Sequence, residues 1–584
     1  MHLSTRGSAW LLAAFLLAPP GLTQDSRPTA QAAPVGELPA SITVRDPDPA
    51  IDDVEVVEDL SEEVADSLLE LSDKLRRRDF TALAGWFAPG FAGHLLAGLE
   101  VAEAKPRHLG MTHTTYVTEG ARIVGPQDFV AGLTELVAPW SRVEMAQWKV
   151  KGAEFQAGFG TRWGNIRLYF HMIGLDAGGD WTSLEGWGQL EVEKQAGKWQ
   201  VTRLRLDSME SRTRPGRIFT DVSTSTGVAH TGPRFGKPGN KSYAWNGAAA
   251  GDIAGNDRDR RWDIFVPSDG RNYLYVAQKD GTFTEEAEKR GVAQPAGGTG
   301  ALFVDVDNDA DQDLVVGHVG WMEDDKQQGH PLQLYINDGY GNFEESGAAW
   351  GFDELLDAYS LTAFDYDLDG YVDIFVCGYG RVENEHNNSW IEATNGSPNA
   401  LYRNLEGKGF KNVAAEAGVE GNSWSYACAV ADVNRDAKLD LYVANDYGTN
   451  RLYKNNGDGT FTDVARGYGV ADPGNGMGVT WGDLDGDARL DLYVSNMSST
   501  AGNRILGRLS EEIDPELYAM LKKLAAGNSI FLRRGKEFGQ LAKEAGGVGA
   551  NWAWSAALAD FDLDGRLDVF CTNGFVTGDL PHDT

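Results

Sequence analysis

Nine residues constrain this chain more than any others: Asp365-Tyr-Asp-Leu-Asp-Gly-Tyr-Val-Asp373, followed at once by Ile-Phe-Val. Acids at positions 1, 3 and 5, a glycine that lets the chain turn, and a fourth acid at position 9 make an oxygen cage for a hard cation. Calcium takes ~6–8 oxygens at ~2.3–2.6 Å, whereas magnesium tends to keep its waters and fits an all-protein cage poorly. The loop recurs with all four acids at Asp305, Asp307, Asp309 and Asp313, at Asp483, Asp485, Asp487 and Asp491, and at Asp560, Asp562, Asp564 and Asp568. At Asp432, Asn434, Asp436 and Asp440 an amide replaces the second acid, keeping an oxygen and losing a charge. A sixth, worn copy is read at Asp257, Asp259 and Asp263, with Gly255 at its first position and Asp252 three residues too early. The spacing thus predicts Ca2+ as the cofactor, at about five sites with a weaker sixth.

An EF-hand needs a bidentate Glu at position 12 and helices on both sides. Here position 12 is Val316, Val376, Val443, Val494 or Cys571, which excludes it. A dockerin-like pair would follow each loop with a helix. Instead each loop is followed by a β-branched and aromatic run such as Leu-Tyr-Val, and preceded by runs such as Gly478-Val-Thr-Trp481, so each caps a strand–loop–strand hairpin. A third strand follows at Asn272-Tyr-Leu-Tyr275, Gln333-Leu-Tyr335, Asn399-Ala-Leu-Tyr402, Asn450-Arg-Leu-Tyr453 and Asn528-Ser-Ile-Phe531. A Gly-rich turn then leads to a strand marked by Phe219, Phe283, Phe343, Phe410, Phe461 or Phe538, and Gly-Val follows eight residues after four of these. Four-stranded units recurring every ~50–77 residues are the signature of propeller blades, which must stack to bury both faces.

This pattern resembles the FG-GAP/VCBS repeats of integrin α-subunit propellers, and is similar to proteins of the ASPIC/UnbV family, over residues 217–584. The resemblance implies a calcium-binding β-propeller of six or seven blades. The ASPIC module it would lead one to expect is not in the sequence. After Asp568 the last blade lacks its third strand, and the expectation is a ring closed by strand exchange with Arg217–Val222, or an incomplete ring. Asp221-Val-Ser-Thr-Ser225 has the Asp-x-Ser-x-Ser form of integrin-type inserted domains, yet Phe219-Thr-Asp-Val…Gly227 aligns with Phe461-Thr-Asp-Val…Gly469, so it reads as a blade link.

The formal charge is −34, from 86 acids against 52 bases. That argues against nucleic acid as a partner, since phosphate binding needs clustered Lys and Arg. The three cysteines, Cys377, Cys428 and Cys571, are too few and too irregular for a disulfide framework, and read as buried thiols. Arg6 followed by Ala9-Trp-Leu-Leu-Ala-Ala-Phe-Leu-Leu-Ala18 reads as an export signal over residues 1–23, its apolar core too short to span a membrane. Residues 24–58, rich in Pro, Ala and Asp, read as a disordered linker.

Residues 59–212 form a different domain. Ser61-Glu-Glu is read as a helix start, with Val64, Leu68, Leu71 and Leu75 at helical spacing, and a second helix runs near Phe129, Leu133 and Leu136. Strands are expected at Val143–Val150, Ile166–Met172, Gly188–Val192 and Trp199–Leu206. Helices before a long antiparallel meander suggest an α+β cone resembling the NTF2-like fold. Trp148, Trp163, Trp181, Trp187 and Trp199 read as core aromatics or as pocket lining, and His113 and His171 as structural or catalytic. A single amphipathic helix is expected over Leu509–Leu524.

The leading expectation is an exported, secreted or periplasmic calcium-binding propeller that binds a cell-surface protein or glycan without catalysis, its calcium structural. The alternative is the accessory propeller of an extracellular enzyme whose active site lies in the NTF2-like domain; no nucleophile elbow, zinc motif or phosphate loop supports it.

Overall fold

The computed structural model describes residues 38–158, 163–229, 247–253, 260–268, 271–294, 298–319, 329–380, 387–509, 513–541 and 552–573. The export signal, residues 24–37 of the linker, Gly255, Asp257, Asp259 and residues 574–584 lie outside them. The chain divides into two units: residues 1–220 with 500–512, and residues 221–499 with 513–584.

In the first unit an apolar stripe builds helix α1 (Val54–Arg76), which buries Val57, Val64, Leu68, Leu71 and Leu75. The helix begins seven residues before the expected Ser61. Asp53 caps it, accepting from the Glu55 and Val56 amides at 3.0 and 3.3 Å. Ser61 lies buried inside the helix, its hydroxyl turned back to the Val57 carbonyl at 2.6 Å. The segment read as linker is also structured from Leu38: Ile42 and Val44 are buried, and Ala50 bridges to Gln156. Helix α2 (Pro126–Leu136) falls where its periodicity placed it.

Eight strands follow α1: β1 (Phe87–His94), β2 (Val101–Pro106), β3 (Thr112–Tyr116), β4 (Ile123–Val124), β5 (Trp140–Phe155), β6 (Trp163–Asp176), β7 (Trp181–Gln195) and β8 (Lys198–Arg214). The sheet runs β2-β3-β8-β7-β6-β5, with β1 parallel to β8. The four long strands outrun the expected cores because each keeps alternating beyond its apolar centre: β6 buries Ile166, Leu168, Phe170 and Met172 and turns Arg167, Tyr169 and His171 outward. The space between helices and sheet is filled by aromatics. Phe87, Phe91 and Phe129 meet at 4.8–5.1 Å, and Trp148 stacks on Phe170 at 5.6 Å.

The second unit is built from five four-stranded antiparallel sheets and a hairpin. Sheet I runs from Ala249–Gly251 to Phe283–Glu285, sheet II from Gly298–Val304 to Phe343–Glu345, sheet III from Ala358–Phe364 to Phe410–Asn412, sheet IV from Ser425–Ala431 to Phe461–Asp463, and sheet V from Gly476–Gly482 to Glu537–Gln540. The hairpin pairs Ala553–Ala559 with Asp568–Asn573. Within a sheet consecutive strands are neighbours, and the first strand of each sheet lies beside the first strand of the next. The second strands of sheets II to V are buried along their whole length, as in Asp373–Gly378, because both of their faces meet other sheets.

The links between sheets repeat as well. Gly291 and Gly351 have φ of 87° and 92°, and a side chain at either would meet the backbone oxygen of Phe343 or Phe410 at 2.4–2.5 Å. Gly227 makes the same approach to Phe283, so residues 219–229 are a link into sheet I. The strand expected at Arg217–Val222 is not formed. Phe219 is 61% exposed, and the stretch runs into a helical turn at Ser223–Thr226. The single helix expected over Leu509–Leu524 is two, Thr500–Leu509 and Pro515–Leu524, because Asp514 and Pro515 start a new helix.

Candidate metal centre

Each acidic loop joins the first strand of its sheet to the second, and all five turn in the same way. Positions 4 and 6 are left-handed in every loop: Asn308 and Ala310, Leu368 and Gly370, Arg435 and Ala437, Gly486 and Ala488, Leu563 and Gly565, with φ of 61–90°. That conformation points the amides of positions 5 and 6 back at the carboxylate of position 1. Asp365 accepts from Asp369 and Gly370 at 3.1 and 2.9 Å, Asp432 from Asp436 and Ala437 at 3.0 and 2.9 Å, and Asp560 from Asp564 and Gly565 at 2.9 and 2.8 Å. The position 5 acids Asp309, Asp369, Asp436, Asp487 and Asp564 each take the amide two residues on, at 2.9–3.1 Å.

The acid at position 9 is the first residue of the second strand, and is buried at Asp313, Asp373, Asp440 and Asp491. One of its oxygens accepts the amide of loop position 2, and the other the amide of the residue that ends the third strand. Asp313 takes Val306 at 3.0 Å and Asn337 at 2.9 Å, Asp373 takes Tyr366 and Asn404 at 3.0 and 2.8 Å, and Asp440 takes Val433 and Asn455 at 3.3 and 2.9 Å. Asp491 accepts in the same way from Leu484 and from Arg533, which precedes the last residue of its strand.

Positions 1, 3 and 9 converge. Carboxylate oxygens of Asp305, Asp307 and Asp313 lie within 4.8 Å of one another, as do those of Asp365, Asp367 and Asp373, of Asp483, Asp485 and Asp491, and of Asp560, Asp562 and Asp568. The position 5 acids stand outside these triplets. In the loop at Asp432 an amide stands in place of the second carboxylate, with Asn434 Oδ1 accepting the Asp436 amide at 2.9 Å, so that loop offers an ion the least charge.

The carboxylates repel. Burial pushes Asp313 and Asp373 up to about 7, with Asp307 and Asp311 adding to the first and Asp367 and Asp369 to the second. Burial raises Asp440 to about 6 and lifts Asp307 and Asp367 above the usual carboxylate range. Asp305 Oδ1 and Asp367 Oδ1 are buried and accept no hydrogen bond. Buried anionic oxygens with no donor are costly unless a cation meets them. On that ground the residues fit a divalent ion with oxygen preference.

Two acids escaped sequence reading. Asp311, at position 7 of the first complete loop, is buried with an unpartnered Oδ1, and is raised to about 6 by burial and by Asp309, Asp307 and Asp305. The signal was present, since the alternation of acids simply continues. Asp252 is the true first position of the worn loop: it accepts from the Arg260 amide at 3.1 Å, while Ile253 donates to Asp263 at 3.1 Å as position 2 does elsewhere. Asp252 thus takes the place first read at Gly255, which lies outside the described residues; three extra residues between Asp252 and Asp263 hid the register. Basic partners also differ. Arg403 reaches Asp367 at 2.7 Å and Arg534 reaches Asp485 at 2.8 Å, whereas no basic side chain among the described residues pairs with the acids of the loop at Asp305.

The profile of the FG-GAP-like repeat matches residues 256–316 and 432–494, which contain the loops at Asp305, Asp432 and Asp483. These are FG-GAP-like repeats. The chain is 30% identical to cartilage acidic protein 1 of Homo sapiens over 154 residues, 26% of this chain and 23% of that protein. It is 37% identical to cartilage acidic protein 1 of Xenopus tropicalis over 86 residues, 15% of this chain and 13% of that protein. The chain thus spans about a quarter or less of the length of these relatives. Among solved structures, Kfla4162 from Kribbella flavida is 13% identical with a TM-score of 0.19, covering 27% of this chain and 93% of that one. Aln2 from a Streptomyces species is 11% identical with a TM-score of 0.19, covering 25% and 89%.

Among the described residues, the histidines of the first unit form no catalytic pair in a cleft. His113 Nε2 meets Glu210 at 2.8 Å on the open face of the sheet, and that line continues through Arg212 and Glu185 to Tyr169. His171 Nε2 meets Ser183 at 2.8 Å. A cavity of about 710 Å³ lies in the same unit, lined by His94, Thr118, Arg205 and Asp207. Burial lowers the His94 pKa, and its Nδ1 accepts the Leu206 amide at 3.3 Å, while Arg205 and Asp207 pair at 3.0 Å. Trp148 and Trp199 are core; Trp163, Trp181 and Trp187 are half-buried on the other face. The three cysteines form no disulfide. Among the described residues no helix is long and apolar enough to cross a membrane.

Proposed function

We propose that the FG-GAP-like repeats form the blades of a β-propeller whose loops hold structural calcium outside the cytoplasm, and that the chain is a non-catalytic binding module for a cell-surface protein or glycan. The observation that carries the reading is the convergence of three carboxylates in each of four loops, joined in the loops at Asp305 and Asp365 by buried oxygens that accept nothing. Metal bound at a site that exists only in the folded state contributes its binding energy to folding. Calcium would supply charge neutralisation there. The chain's part is to orient positions 1 and 9 through backbone amides before any ion arrives.

A recognition surface is expected at the opposite ends of the strands, where the residues between second and third strands lie. There Trp390, 43% exposed, packs on Tyr447 at 5.2 Å, Tyr447 on Trp424 at 5.5 Å, and Trp424 on Tyr379 at 5.1 Å. Large aromatics with a polar edge are favoured contacts for partners. The test is a glycan and surface-protein binding screen with and without chelator, together with a Trp390→Ala variant. The reading expects binding that falls with calcium removal and with the variant. Binding that survives both would contradict it.

A further inference from the structure

In sheets II, III and IV the residue ending the third strand is an asparagine that fastens its sheet to the one before. Asn337, Asn404 and Asn455 donate from Nδ2 to the loop carbonyls of Ile253, Val306 and Tyr366 in the preceding sheet, at 3.2, 2.8 and 2.8 Å. In sheet V the same register holds Arg533, whose amide meets Asp491 at 2.7 Å as the Asn404 amide meets Asp373. The clamp is therefore replaced by a guanidinium. Arg533 is only 8% exposed; Nε donates to the Gly535 carbonyl at 2.9 Å, the group lies 4.7 Å over the Phe538 ring, and Nη1 is buried with no partner.

Beside it opens a cavity of about 440 Å³ between the loops of sheets IV and V, those at Asp432 and Asp483. Val433, whose carbonyl is the counterpart of those the asparagines fasten to, lines it, together with Arg435, Arg489 and Lys536. The two acids on its wall, Asp432 and Asp483, are turned to their own loop amides at 2.8–3.0 Å. In a chain of charge −34 this is a recess lined by four cationic side chains, one of them the nearly dry guanidinium of Arg533.

We propose that this recess binds a single sulfate- or phosphate-type oxyanion, with Arg533 Nη1 as its buried donor and Arg435, Arg489 and Lys536 around it. Cations drawn from a strand, two loops and a turn suit a tetrahedral group whose oxygens point several ways, and guanidinium donors match such oxygens. The field of the whole protein disfavours a polyanion, so one isolated group is the occupant.

The experiment is isothermal titration of the full chain with sodium sulfate, at fixed ionic strength in millimolar calcium, beside Arg533→Asn. That variant restores the residue three other sheets use, and is expected to fold. Wild type should bind sulfate, and Arg533→Asn should lose at least tenfold in affinity. Should the variant fail to fold, Arg489→Gln, on the exposed wall, replaces it with the same expectation. Glucose 6-sulfate distinguishes the source: binding as tight as the free ion assigns an ester group, and binding of free sulfate alone assigns the ion itself. No saturable heat with either probe, or equal affinity in a folded variant, would overturn the proposal.

Discussion

The two units bury carboxylates in opposite ways. In the first, Glu191 is 3% exposed and held by Arg45 at 2.8 Å, with Thr202 at 2.9 Å, and Glu58 is held by Arg504 at 2.6 Å with both side chains about a tenth exposed. In the repeat unit Asp313, Asp373 and Asp491 are as deeply buried, yet their oxygens meet backbone amides and other carboxylates. A guanidinium closes the charge balance of one unit from within. The other meets its carboxylate triplets only in part, through Arg403 at Asp367 and Arg534 at Asp485, and on the proposed reading an ion from solution completes the balance, which would make that unit's stability depend on the solution around it.

Removing divalent ions is the largest perturbation. Ligand present at a hundred times its dissociation constant stabilises by ~2.7 kcal/mol per site, so four filled loops should contribute on the order of 10 kcal/mol. Calorimetry in chelator should move the repeat unit's transition down by ~10 °C or more and leave that of the first unit in place. Next comes Asp373→Ala. It strips an acceptor from both the Tyr366 and Asn404 amides, and buried donors left bare cost ~1–3 kcal/mol each. A loss of ~2–6 kcal/mol on that basis should appear in urea unfolding even in chelator, while Asp369→Ala, at an exposed position outside the triplet, should then have little effect. Smaller again is Arg45→Met. Glu191 would retain Arg203 at 3.7 Å, so the expected loss is ~1–3 kcal/mol, equal with and without calcium.

The last effect is a slope of opposite sign in the two units. Asp313 and Asp373 have folded pKa values of about 7, above the ordinary carboxylate range, so the folded state takes up protons as pH falls. In chelator the repeat unit should gain stability from pH 8 down to about pH 5, and calcium should cancel that gain, because the ion and the proton compete. Glu185 is lowered to about 2 by Tyr169 and Arg212, against the opposing effect of burial. Its contribution is complete above the unfolded value near 4.5 and is lost as pH falls toward 2. Melting temperatures across pH 3–8 would check both signs.

Much of this was legible. Acids at alternate positions, β-branched runs on either side and the Phe and Gly-Val marks are local patterns, and the second unit's strands follow them from Ala249–Gly251 onward. What was missed depends on register. Asp252 was hidden by three inserted residues, and only its hydrogen bond to Arg260 identifies it. Ser61 has the chemistry of a cap, but the apolar stripe continues past it to Val57, and Asp53 lies where the helix can start. Arg533 looks like one more strand residue until the Asn337, Asn404 and Asn455 clamps are aligned beneath it. Arg217–Val222 shares the Phe-Thr-Asp-Val pattern of a fourth strand, yet a pattern supplies no partner strand, and among the described residues none pairs with it.

The most direct test is the number of calcium ions the purified chain holds, measured by equilibrium dialysis against radioactive calcium at millimolar concentration. Four sites should fill, with a fifth, weaker one from the loop at Asn434, and Asp305→Ala should remove one of the four. A chain that retains no calcium at that concentration, while folded, would contradict the account.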